Sequence, residues 1–215
     1  LRHLINQAFT RSAITSLADD ISQLTQTLLD KVRPQGKMDF VTDFALPLTT
    51  NLVALLLGVP VEDWHLFGRW TKGEDETLVP HTREETIAFH NLVGQEIYDY
   101  FSLMLAERRR EPRADLITAL SAAELNGERL SDDEILKFCV LLLVAGQETV
   151  QNLLTHSIYC LTQFTESRDQ LIQQPELIPS AIEEVLRYLP PFWISVRRTT
   201  CATELGGSVS LPTRL

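Results

Sequence analysis

Apolar residues recur at steps of three and four along most of the chain. Leu17, Ile21, Leu24, Leu28 and Val32 make one helical stripe, which Arg33-Pro34-Gln35-Gly36 ends. A second apolar segment over 44–57 stops at Gly58-Val59-Pro60, a capping glycine followed by a breaker. A short helix restarts at Pro60 and carries Trp64, Phe67 and Trp70; the polar stretch 72–80 reads as a loop. Thr82 and Glu85 form a capping box that opens a long helix through Leu92, Glu96, Tyr100 and Met104 to Arg110. A short helix over 115–125 precedes an Asn126-Gly127 turn. A second capping box, Ser131 to Glu134, then launches a helix predicted to reach Phe164, about 33 residues or about 50 Å. Helix 180–189 is closed by Pro190-Pro191, and 192–211 is the single predicted strand region, turning at Gly206-Gly207. The pattern predicts a mainly α fold with a small β region near the C-terminus.

The longest helix contains a contradiction. In LLLVAGQETVQNLL, residues 141–154, a helix built for burial carries Gly146, Gln147, Glu148 and Thr149 at its centre. A mid-helix glycine costs about 1 kcal/mol against alanine, and a buried carboxylate is costly unless hydrogen-bonded. Thr149 can turn its hydroxyl onto the carbonyl of Ala145 one turn back, which is expected to loosen the ladder and open a groove. A groove holding an acid beside an alcohol suits proton delivery to a bound small molecule.

Composition narrows the classes. The chain has 215 residues, 44% hydrophobic and 22% charged, with a net charge of −10. This balance fits a water-soluble globular domain and argues against nucleic acid or an anionic membrane as the main partner. Cys139, Cys160 and Cys201 show no metal-ligand spacing and read as reduced structural thiols, which points to the cytoplasm. The apolar run 138–146 is shorter than the ~20 residues of a membrane span, and no signal peptide is visible.

AGQET (145–149), followed by EEVLRYLPP (183–191), resembles the cytochrome P-450 haem-thiolate monooxygenases of soluble bacterial type. The family's central helix carries (A/G)-G-x-(D/E)-T, met by Ala145, Gly146, Gln147, Glu148 and Thr149. Its E-x-x-R motif is met by Glu184 and Arg187. The segment PPFWISVRRTTCATELGG resembles the strand region that follows E-x-x-R and places Arg197 on a haem propionate. LRHLINQAFT resembles the family's third helix, whose arginine binds a propionate too, and places Arg2 in that role. The resemblance implies one partial P-450 domain over 1–215, from the third helix through the strands after E-x-x-R.

The same resemblance implies the roles. Haem would activate O₂, and one oxygen atom would enter a small organic substrate, apolar by the tryptophans near the 71–80 lid. Electrons would come from NAD(P)H through a ferredoxin or flavoprotein reductase. Dioxygen would sit in a groove at Gly146, with Thr149 holding the proton network and Glu148 supplying protons from solvent. Leu141, Ala145, Trp193 and Ile194 would face substrate, and Glu184 with Arg187 would be a buried ion pair bracing the haem-side core. No F-x-x-G-x-x-x-C-x-G loop is present, so none of the three cysteines is assigned as axial ligand and no metal ligand is named. The chain reads as the middle of a longer product. The alternative is a haem-free P-450-like scaffold or partner protein.

Overall fold

The computed structural model describes residues 5, 15, 17–72, 82–195 and 199–210. Helix α1 (Ala18–Val32) is followed by a 3-10 turn, Arg33–Gln35, that ends at Gly36 in the left-handed region. A π-helical turn, Phe40–Ala45, is capped by Asp39, whose carboxylate accepts from the amides of Val41 and Thr42. It runs directly into α2 (Leu46–Leu57). A 3-10 turn, Val61–Asp63, leads to α3 (Trp64–Lys72). Helix α4 (Arg83–Arg110) begins directly after Thr82. Next come α5 (Leu116–Ala122), α6 (Asp132–Gln163), α7 (Thr165–Gln173) and α8 (Ile178–Tyr188).

The mainly α expectation holds, with three corrections. Strands β1 (Glu124–Leu125) and β2 (Glu128–Arg129) form a hairpin where the sequence suggested only a turn; Asn126 and Gly127 both take positive φ, as a tight hairpin requires. The C-terminal strand region is shorter than 192–211: β3 (Thr203–Leu205) pairs antiparallel with β4 (Ser208–Ser210), while 191–195 is not strand. Helix α7 has no counterpart in the sequence reading. It carries no buried residue, so its apolar positions are too few for a strong stripe.

One core unites the longer helices. Val53, Ala54 and Leu57 of α2 join Phe101, Met104 and Leu105 of α4, Leu116, Ile117 and Leu120 of α5, and Ile135, Cys139 and Leu143 of α6. Burying a side chain of this size stabilises by about 1.5–3 kcal/mol. Two helical stretches, Phe40–Leu57 and Asp132–Gln163, are long and apolar enough to cross a membrane by composition. The first supplies Phe44, Leu46, Leu48, Val53, Ala54 and Leu57 to the core, which accounts for its hydropathy without a bilayer. The second begins with three acids and carries Glu148 mid-length.

A polar knot ties α2, α4 and α5 together. Arg108 of α4 is 1% exposed and pairs through Nε with Oδ2 of Asp115, itself 5% exposed. Its Nη2 donates to the carbonyl of Gly58 at 2.8 Å. Asp115 also caps α5, its Oδ1 accepting from the amide of Thr118 at 2.9 Å. Gly58 ends α2 with φ +73°, and the next amide, Val59, donates back to Ala54 at 2.9 Å, the six-residue closure of a Schellman cap.

Candidate active-site face

Helix α6 starts where the sequence placed it. Ser131 Oγ accepts from the amide of Glu134 at 3.3 Å, and Glu134 Oε2 accepts from the amide of Ser131 at 2.9 Å. From that fixed start the α-helical phase decides what each side chain faces. Ile135, Cys139 and Leu143 turn into the core, while Leu141, Val144, Ala145 and Glu148 turn to an open face.

Three of the predicted site residues, Leu141, Ala145 and Glu148, therefore lie on one stripe at spacings of four and three, with half-exposed Thr149 at its edge. Thr149 Oγ1 donates to the carbonyl of Ala145 at 2.9 Å, the back-bond the sequence suggested. The helix nevertheless runs unbroken through this turn, so the expected loosening of the ladder is not seen. With its proton committed to Ala145, the Thr149 oxygen presents lone pairs as an acceptor beside the Glu148 carboxylate.

Gly146 points elsewhere. A Cβ there would meet Val53 Cγ2 at 3.3 Å and Leu142 Cδ1 at 3.5 Å, so the missing side chain lets α2 approach α6 closely. The groove expected at Gly146 is occupied by that packing. Gln147, only a variable position in the sequence motif, is 6% exposed and donates from Nε2 to Thr50 Oγ1 of α2 at 2.9 Å. Gly146 and Gln147 together fix the rotation of α6 against α2, which leaves Glu148 outward and Thr149 at the margin of the packed side. Polarity inside an apolar run was the only available signal; nothing in it paired Gln147 with Thr50.

The hydrogen bond can be tested by a double-mutant cycle. Thr50→Val leaves the buried Gln147 amide without its acceptor and is expected to destabilise by about 1–3 kcal/mol. Adding Gln147→Leu removes the orphan, so the double variant should recover most of that loss in urea unfolding.

Glu184 and Arg187 meet in a bidentate pair, with Nε to Oε2 at 2.8 Å and Nη2 to Oε1 at 2.6 Å. The guanidinium holds the Glu184 carboxyl below the usual carboxylate range. Within this chain the two side chains are 60% and 69% exposed, because α8 buries no residue of its own; the buried pair expected of the complete domain is not formed by these elements alone. The pair edges a cleft of about 500 Å³ lined by Leu161, Phe164, Leu171, Val185 and Tyr188. Trp193 and Ile194 are exposed. Arg2, Arg197 and the lid residues 73–80 lie outside the described residues.

Cys139 is fully buried, and burial together with the charge of Asp115 pushes its thiol up to about 12. Cys160 is buried and Cys201 lies exposed just before β3. Among the described residues no group of three or more His, Cys, Asp or Glu could hold a metal ion.

No family model matches the chain. Cytochrome P450 109 of Bacillus spizizenii is 37% identical to it, covering 96% of this chain and 52% of that protein. The steroid C26-monooxygenase of Mycobacterium tuberculosis H37Rv is 34% identical, covering 96% and 52%. The solved structure of ligand-free cytochrome P450 TbtJ1 superposes with a TM-score of 0.89 at 35% identity, covering 99% of this chain and 56% of its own. CYP109E1 from Bacillus megaterium, in complex with corticosterone, gives 0.89 at 35% identity over 98% and 57%. The chain thus spans about half the length of the curated relatives it matches. With relatives of this identity along nearly its whole length and P450 structures superposing on it this closely, the chain belongs to the cytochrome P450 family.

Proposed function

We propose that the chain supplies the substrate-side half of a haem-dependent monooxygenase that inserts one atom of O₂ into an apolar organic molecule. The observation that carries this reading is the single open stripe of Leu141, Ala145 and Glu148 with Thr149 beside it, held outward by Gly146 and Gln147 on the reverse side of α6. Leu141, Val144 and Ala145 offer an exposed apolar wall suited to the face of a porphyrin or to a substrate. The axial ligand is not among the described residues, so the wall fits the ring and not the iron. Haem, when bound, supplies the binding and activation of dioxygen.

This chain's own residues would manage protons and exclude water. Glu148, exposed, would pass protons between solvent and the site, and Thr149, its own hydroxyl proton held by Ala145, would accept a hydrogen bond from a water that carries the proton inward. Arg2 and Arg197 would bind the propionates. Leu141, Ala145, Trp193 and Ile194 would contact substrate. Relatives named as a steroid monooxygenase and as a corticosterone complex support a substrate of fused-ring size and low polarity. NAD(P)H, through a ferredoxin or flavoprotein reductase, would furnish electrons in the cytoplasm.

The test is Thr149→Ala in a haem-loaded complete domain containing this chain. Oxygen consumption should continue while product formed per O₂ falls at least about tenfold, the missing electrons appearing as peroxide. Unchanged coupling would remove Thr149 from the proton path. A haem-free scaffold is the second reading. A domain completed with the thiolate loop that fails to take up haem would favour it over the first.

A further inference from the structure

The proline pair after α8 raises a backbone problem. Pro190 and Pro191 carry no N–H, so this stretch cannot anchor itself through its own donors. The last carbonyls of α8 also lack intrahelical partners. The amide of Leu189 donates to Val185 at 2.8 Å, which closes the helix but leaves the Leu189 carbonyl free to accept. Across the gap, Nδ1 of His156 on α6 lies 2.9 Å from that oxygen. A carbonyl can only accept, so the histidine must carry its proton on Nδ1.

Position gives this bond its meaning. His156 is seven residues beyond Thr149 on the same helix, which places it about 10 Å further along and nearly on the same face. The point where the chain leaves α8 is thus tied to the stripe that carries Leu141, Ala145, Glu148 and Thr149. Residues 190 and 191 are half-buried beside it; from Phe192 the chain becomes exposed, carrying Trp193 and Ile194.

We infer that His156 is a positioning residue: its Nδ1–H clamps the Leu189 carbonyl and so sets where and in what direction segment 190–195 departs beside the active-site face of α6. The geometric part stands on the hydrogen bond alone. Its consequence for substrate contact by Trp193 and Ile194 rests on the monooxygenase reading, and the experiment below measures the first without haem or turnover.

Two spin labels report the exit geometry in the 215-residue chain, with Val144→Cys on the open face, Phe192→Cys on the segment, and Cys201→Ser to remove the exposed native thiol. The distance distribution should be narrow with His156 and at least about twofold broader in His156→Leu, which cannot donate. In His156→Asn, whose amide can donate to the same carbonyl, it should return to the narrow form. A distribution unaffected by leucine, or broad with asparagine as well, overturns the inference. Nitrogen NMR of the unsubstituted imidazole provides a check independent of whether the leucine variant folds. The neutral ring should be protonated on Nδ1, and an Nε2-protonated ring would equally overturn it.

Discussion

Replacing Arg108 with methionine is expected to lower the unfolding free energy by about 3–5 kcal/mol, read as a fall in the urea midpoint at unchanged slope. Methionine keeps most of the volume, so the loss isolates the charge rather than a cavity. What remains is the Asp115 carboxylate, 5% exposed, without its guanidinium, and the Gly58 carbonyl without the Nη2 donor at 2.8 Å. Asp115 keeps the Thr118 amide at 2.9 Å, so α5 should retain its cap while its attachment to α4 and α2 weakens. Against a typical domain stability of about 5–15 kcal/mol, such a loss would leave the chain marginal. A change under 1 kcal/mol would show that the apolar core alone holds the three helices together.

Gly58→Ala should produce a loss of similar size through the same knot. A left-handed backbone costs an L side chain about 1–2 kcal/mol, and Gly58 has φ +73°. The new Cβ would also fall far inside contact with the Asp115 side chain, so the ion pair must shift to admit it. Gly127→Ala separates the two contributions. That residue has φ +83° with nothing within 4 Å of its Cβ position, so it should show the backbone loss only. Because Gly58 and Arg108 act on one carboxylate, the double variant should lose less than the sum of the singles. Strict additivity would mean that the two positions are stabilised independently.

Neither position drew attention in the sequence beyond a helix cap and a basic helix end. Gly58 and Arg108 are fifty residues apart, and no periodicity joins them. The same limit governs the site. Glu148, Thr149 and Gly146 were visible because polarity and a glycine interrupt an apolar run. Gln147 and His156, which fix how that run is turned and what is clamped to it, matter only through partners on other elements: Thr50 at 2.9 Å and Leu189 at 2.9 Å. The Glu184–Arg187 pair came with the E-x-x-R resemblance, but its exposure did not, since burial depends on what lies over α8.

The sequence by itself determined the local facts. Stripes at spacings of three and four, the capping box at Ser131, the left-handed glycines at 36 and 58, and the back-bond of Thr149 all arise from contacts within a turn or two of chain. Tertiary structure alone decided which side of α6 became wall and which became anchor. That choice rests on the close approach of Val53 to Gly146 and on a buried amide needing a hydroxyl from α2. A helix presents every residue it contains; only a neighbour packed at close range selects the face that is left open.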